Sequence, residues 1–170
     1  IMELNKKTED ALRWIIGILD DKNIPYQICG GFAAKMYGST RTLNDIDIDI
    51  PEKNFADIMY EVKEYIIFGP EYFNDGKWDM YLMTLNYKGQ EIDVGGAFDI
   101  KVSNKERTDW VSIPADFSTV QHFKIANLDI NVMSPEKLIG YKKFLDGEHQ
   151  IVDIDAVQNY INGRTNTKNI

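Results

Sequence analysis

A single cysteine, Cys29, stands in the 170 residues, so no internal disulfide can form. It lies in the apolar run YQICG, where a buried, inert thiol is the expected reading. No apolar run approaches the roughly 20 residues that cross a bilayer, and the N-terminal MELNKKTEDA lacks an apolar signal segment. A cytoplasmic protein with no membrane partner is expected. Histidine is scarce too: His122 and His149 have neither the spacing nor the neighbouring cysteines of a zinc site, and both read as surface residues. Positive charge is also in short supply. Lys and Arg number 19 against 27 Asp and Glu, which gives a net charge of -8. Phosphate-backbone binding is built on clustered Lys and Arg, so nucleic acid is disfavoured and a small or cationic partner fits better.

What the chain does contain is 44% hydrophobic residues with 12% aromatics, enough for one core. One domain over residues 1–170 is expected, with residues 163–170 as a polar, mobile tail. Ala11, Leu12, Ile15, Ile16 and Leu19 recur at helical steps and predict a first helix from Lys7 to Leu19, with Thr8 as its cap. Tyr26–Cys29 reads as a short strand, Gly30-Gly31 as a tight turn, and FAAKMYG as a short helix. Further helices are predicted over residues 54–65, from Ser134-Pro135-Glu136 onward, and over about 151–161. Met80–Tyr87 and Glu91–Val94 predict a hairpin through Lys88-Gly89, and VQHFKI with LDINVM predicts a second through Ala126-Asn127.

The run DIDIDI over Asp45–Ile50 alternates charge and isoleucine without a break. In a strand this puts Asp45, Asp47 and Asp49 on one face, about 6.6 Å apart, and the isoleucines on the other. Aspartate suits strands poorly, and carboxylates so crowded repel one another. A hard divalent cation resolves the conflict, because Mg2+ takes carboxylate and phosphate oxygens at about 2.0–2.1 Å. A solvated strand face is the bland alternative. The glycine pair upstream adds a place where backbone can approach a phosphate at a helix start, although most glycine pairs only turn the chain.

The stretch GGFAAKMYGSTRTLNDIDIDI resembles the DNA polymerase beta-like nucleotidyltransferase superfamily on Gly30, Gly31, Gly38, Arg41, Asp45 and Asp47. It is closest in flavour to small lincosamide nucleotidyltransferases and to antitoxin or abortive-infection members. The resemblance implies Asp45 and Asp47 as ligands of Mg2+ or Mn2+. It implies a third carboxylate on a neighbouring strand as ligand or catalytic base, a position that Asp93 matches and for which Glu91 is the reserve. Nucleotide contacts are implied for Gly30, Gly31, Ser39, Arg41 and Lys142. Arg41 reads equally as a counter-charge to the aspartates, and Lys142 as part of a solvated helix face. Asp49 has no assigned role, Asp153 and Asp155 read as helix-surface residues, and Trp78 and Trp110 read as core before acceptor wall.

The fold so implied is α/β (α+β): a nucleotidyltransferase-type mixed β-sheet carrying the acidic edge, with helices mainly on one face. The implied activity moves a nucleoside monophosphate, AMP from ATP first, to a hydroxyl of a small molecule such as an antibiotic. The alternatives are transfer to a protein or RNA, as in toxin-antitoxin systems, and a nucleotide-binding module without turnover.

Overall fold

The computed structural model describes residues 2–167, with side chains through Arg164. Helix α1 spans Lys6–Asp21 and buries the face that the spacing predicts. Its cap is Asn5, whose side chain accepts from the Thr8 backbone N–H at 2.9 Å. Thr8 itself is buried, and its hydroxyl meets Gln90 Oε1 at 2.6 Å, so the expected cap instead ties the helix to the sheet.

The remaining helices are α2 (Gly30–Met36), α3 (Phe55–Val62), α4 (Pro135–Lys142) and α5 (Glu148–Thr167). The strands are β1 (Gln27–Cys29), β2 (Asp45–Ile50), β3 (Ile66–Asn74), β4 (Trp78–Tyr87), β5 (Gln90–Gly96), β6 (Lys101–Ser103), β7 (Trp110–Ser112), β8 (Gln121–Ile125) and β9 (Leu128–Val132). They form one mixed sheet in the order β7-β6-β4-β5-β2-β1-β9-β8, with β3 paired to β4. β2 runs parallel to β5 and antiparallel to β1. Both predicted hairpins are present, and Lys88-Gly89 and Ala126-Asn127 take the positive φ values that two-residue hairpin turns favour. Ser134 caps α4, with Pro135 in its first turn. Among the described residues no helix is long and apolar enough to cross a membrane.

Two differences from the sequence reading bear on the site. β3 was not foreseen, because Gly69-Pro70 interrupts its alternation and the register with β4 shifts between Ile66 and Phe68 and between Phe68 and Glu71. Helix α5 is longer than predicted and takes in residues 163–167 of the expected tail, while residues 168–170 lie outside the described residues.

The two faces of the sheet differ sharply. Ile46, Ile48, Ile92, Val94, Met83 and Leu85 are all at most 1% exposed on the face that carries α1 and α3. Burial of each such side chain stabilises by about 1.5–3 kcal/mol. Their strand neighbours, Asp45, Asp47, Asp93 and Thr84, point to the opposite face. Helices α4 and α5 pack on each other and on α2, and their residues reach the rim of this second face.

Candidate active site

The register puts Cys29, Asp47, Asp93 and Thr84 side by side across β1, β2, β5 and β4. Asp45 lies beside Glu91 in the next row. One carboxylate oxygen from each of Asp45, Asp47 and Asp93 falls within 4.8 Å of the others. That span is close to the about 4.2 Å between opposite corners of a Mg2+ octahedron, so the donor set suits a hard divalent cation. The electrostatics agree. Burial, then the charges of Asp45, Asp93 and Asp49, push the Asp47 carboxyl up to about 8. Burial also raises Asp93, against the lowering effect of a 2.5 Å hydrogen bond from the Thr84 hydroxyl to its Oδ1. Thr84 fixes the carboxylate's rotation and could have been found in sequence only with the hairpin register in hand.

Asp49 now has a place. It is 6% exposed, and Gln27 Nε2 donates to its Oδ2 at 2.8 Å. Burial raises it to about 6. It lies one row beyond the converging trio, across Gly95 from Leu82, and borders the same cleft. Cys29 beside it is buried and free, as expected, and burial drives its thiol well up.

The glycine pair supports this geometry by being small. A Cβ on Gly30, whose φ is +61°, would fall 1.8 Å from Asp47 Oδ2, and one on Gly31 would fall 2.5 Å from Arg41 Nη2. The Gly30 N–H already donates to the Tyr141 hydroxyl at 2.8 Å. The glycines therefore admit the Asp47 carboxylate and the Arg41 guanidinium next to the backbone.

Ser39, Arg41 and Lys142 converge on one residue, Asp153, which is fully buried. Asp153 Oδ1 accepts from the Ser39 hydroxyl at 2.7 Å, and its Oδ2 accepts from Arg41 Nη2 and Lys142 Nζ, both at 2.9 Å. Lys142 Nζ also donates to Gln150 Oε1 at 2.9 Å. Burial pushes the Asp153 carboxyl up, but the hydrogen bonds from Arg41, Ser39 and Lys142 outweigh it and hold it below its ordinary value. The helix-surface reading of Asp153 is thus corrected: only Asp155 is exposed. Lys142 is 2% exposed and not part of a solvated face, and Arg41 serves as a counter-charge, paired with Asp153 and also held up by the charges of Asp45 and Asp47. Arg41 and Lys142 still line the cleft, whereas Ser39 lies behind it.

The cleft above the acidic face has a volume of about 610 Å3. On the β1 side it is bordered by Gly30, Gly31, Arg41, Tyr141 and Lys142, and on the β4 side by Trp78, Met80, Leu82 and Thr84. Trp78 meets Tyr141 edge to face, with ring centroids 5.7 Å apart, and closes the space between the two sides. It is therefore a wall residue, whereas Trp110 sits 42% exposed on β7. His149 also borders the cleft, and His122 pairs with Asn131.

No protein-family profile matches the chain, and no curated protein is similar to it in sequence. Solved structures do match. A nucleotidyltransferase-type protein from Thermotoga maritima superposes with a TM-score of 0.69 at 18% identity, over 95% of this chain and 96% of the other. The lincosamide antibiotic adenylyltransferase LnuA, with lincomycin bound, gives 0.60 at 17% identity, over 92% of this chain and 99% of the other. The antibiotic-resistance factor ANT(2'')-Ia gives 0.64 at 15% identity, over 93% and 86%. The chain has the nucleotidyltransferase fold. Its neighbours in that fold are nucleotidyltransferases, and two of them act in antibiotic resistance or adenylylate an antibiotic.

Proposed function

We propose that the chain is a metal-dependent nucleotidyltransferase that moves a nucleoside monophosphate, AMP from ATP in the simplest case, to a hydroxyl of a small molecule. The observation that carries this reading is the convergence of Asp45, Asp47 and Asp93 within 4.8 Å in a nucleotidyltransferase fold. Antibiotic adenylyltransferases among the fold neighbours favour a small acceptor over a macromolecule.

Asp45, Asp47 and Asp93 would hold Mg2+ or Mn2+, which when bound supplies charge neutralisation for the phosphates and the departing pyrophosphate. Asp93, its rotation set by Thr84, accepts the proton of the acceptor hydroxyl as that oxygen attacks the α-phosphorus in line. Lys142 and Arg41, held by Asp153, present positive charge along the β1 side of the cleft, where the triphosphate lies between them and the carboxylates. The room beside Gly30 and Gly31 lets Asp47 and Arg41 keep these positions. Ser39 acts from behind the cleft by fixing Asp153.

Calorimetric titration of ATP in the presence of Mg2+ tests the binding half. The wild type binds, and the Asp45→Ala/Asp47→Ala double variant loses binding. Labelling with α-32P-ATP and a small-molecule extract tests the transfer half. Asp93→Asn keeps nucleotide binding but lowers transfer by about a hundredfold or more, the usual contribution of a positioned base. A wild-type protein that binds neither ATP nor Mg2+ would falsify the reading, and label that moves only to protein or RNA rules out the small acceptor.

A further inference from the structure

The side of the cleft next to Asp93 differs in chemistry from the side that carries Arg41 and Lys142. Thr84, Leu82, Met80 and Trp78 alternate along β4 and so share the face of Asp93, extending about 20 Å at strand spacing. The neighbouring strand adds Phe73, opposite Met80, and Phe68, opposite Thr84. Trp78, Met80, Leu82, Phe68 and Phe73 are half-buried, whereas Thr84 is buried at the Asp93 end and Met83 and Leu85 on the other face of the same strand are fully buried. The strip is thus an apolar wall with one side left open to the cleft.

Of the six carboxylates that line the cleft, five are engaged in the trio, in packing or in a turn. Asp45, Asp47 and Asp93 form the trio, and Asp49 is packed against Gln27. Asp75 Oδ1 accepts from the backbone N–H groups of Lys77 and Trp78. That leaves Glu91, which sits beside Asp45 away from the wall. The cleft as a whole is acidic, with six carboxylates against Arg41 and Lys142, but the side chains of the β4 wall itself carry no charge.

We infer that the β4 wall is the acceptor subsite, and that the acceptor lays an uncharged, flat or aliphatic apolar body along it beside the reactive hydroxyl rather than a polycationic ring. The inference rests on the transferase reading above. Asp93 lies between Asp47 and β4, so the hydroxyl that it deprotonates arrives from the β4 side, where the acceptor's body lies along Leu82, Met80 and Phe73. The nucleotide occupies the opposite, cationic side. Removal of a phenyl or isobutyl group from this wall weakens the acceptor without touching the triphosphate.

The test uses two hydroxyl-bearing probes, 2-naphthol as the neutral apolar alcohol and 2-deoxystreptamine as the cationic one. Saturation-transfer NMR is recorded with and without Mg2+ and a non-hydrolysable ATP analogue. 2-Naphthol gives saturable transfer and 2-deoxystreptamine gives none. Phe73→Ala and Leu82→Ala each weaken 2-naphthol by about tenfold, the scale of one large apolar contact, and leave the analogue's affinity within twofold. Binding of the diamine in preference to the naphthol overturns the inference, and so does a parallel loss of analogue binding, which assigns the wall to the nucleobase. Circular dichroism melting of each variant separates loss of the site from loss of the fold, and the second variant stands in if one fails to fold. If the analogue fails to bind wild type in Mg2+, the transferase reading fails first and takes this one with it. If the analogue binds and the naphthol does not, only the acceptor assignment falls.

Discussion

A methyl group on Gly30 would overlap Asp47 Oδ2, and the backbone there has φ +61°, which L side chains rarely adopt. Both costs fall on the same residue, and neither relaxes without moving the carboxylate. Gly30→Ala is therefore expected to lower stability by about 2 kcal/mol or more in urea unfolding, and to weaken Mg2+-dependent nucleotide binding in the protein that still folds. An alanine variant with wild-type unfolding and binding would show that the turn yields easily. At this scale the sequence was informative where period two governs the answer. Strand alternation alone puts Asp45 and Asp47 on one face, and the resemblance led to Asp93, which the register places directly beside Asp47. Asp49 shows the limit. Its alternation is the same as theirs, but its partner is Gln27 on an antiparallel strand 22 residues away, and only the pairing reveals it.

Helix α5 is fastened to the site through the Asp153 carboxylate, with Gln150 of the same helix beside it on Lys142. Asp153 joins α5 to Arg41 in the loop after α2 and to Lys142 at the end of α4, so three separate segments meet at a point with no solvent access. Removal of its charge leaves two cations near each other without their counter-ion, a change that typically costs about 3–5 kcal/mol in buried pairs. Asp153→Asn should lose stability on that scale at pH 7. Its folded-state carboxyl titrates below its unfolded value, so the stabilising effect is present above the unfolded value near 3.8 and is lost as pH falls through the depressed folded value. Wild type and variant should accordingly converge in stability toward the acid limit. A gap that stays constant down to pH 3 assigns the loss to packing rather than charge. This element was hard to read from sequence because IVDID imitates the metal strand while sitting in a helix, where its two aspartates diverge: Asp153 goes in and Asp155 out. β3 was hidden for a different reason, since Gly69-Pro70 punctuates it like a loop and its pairing with β4 is irregular there. The apolar wall to which β3 contributes was therefore invisible until the sheet was assembled.

Across the whole molecule, the acidic face leaves the protein opposed to itself at neutral pH. Asp47 rises to about 8, Asp49 to about 6, and Asp93 rises as well, all with burial as the leading cause. A carboxyl whose folded value is raised binds its proton more tightly in the folded chain, so its stabilising share is fully present below the unfolded value near 3.8. That share is lost as pH climbs through the folded value. Metal-free protein should therefore melt at a lower temperature at pH 8.5 than at pH 5.5, with the decline falling first through about 6 and then through about 8. Asp47→Asn removes the later part of that decline. A divalent cation acts in the opposite sense, since it must displace the Asp47 proton to reach the trio, and its binding strengthens as that proton becomes easier to lose. At a Mg2+ concentration 100 times its dissociation constant the added stability is about 2.7 kcal/mol. Scanning calorimetry in EDTA and in Mg2+ should then show a Mg2+-induced rise in melting temperature that grows from pH 5.5 to pH 8.5 and disappears in Asp45→Ala/Asp47→Ala. A rise that is equal at both pH values, or that persists in the double variant, places the cation somewhere other than the three carboxylates.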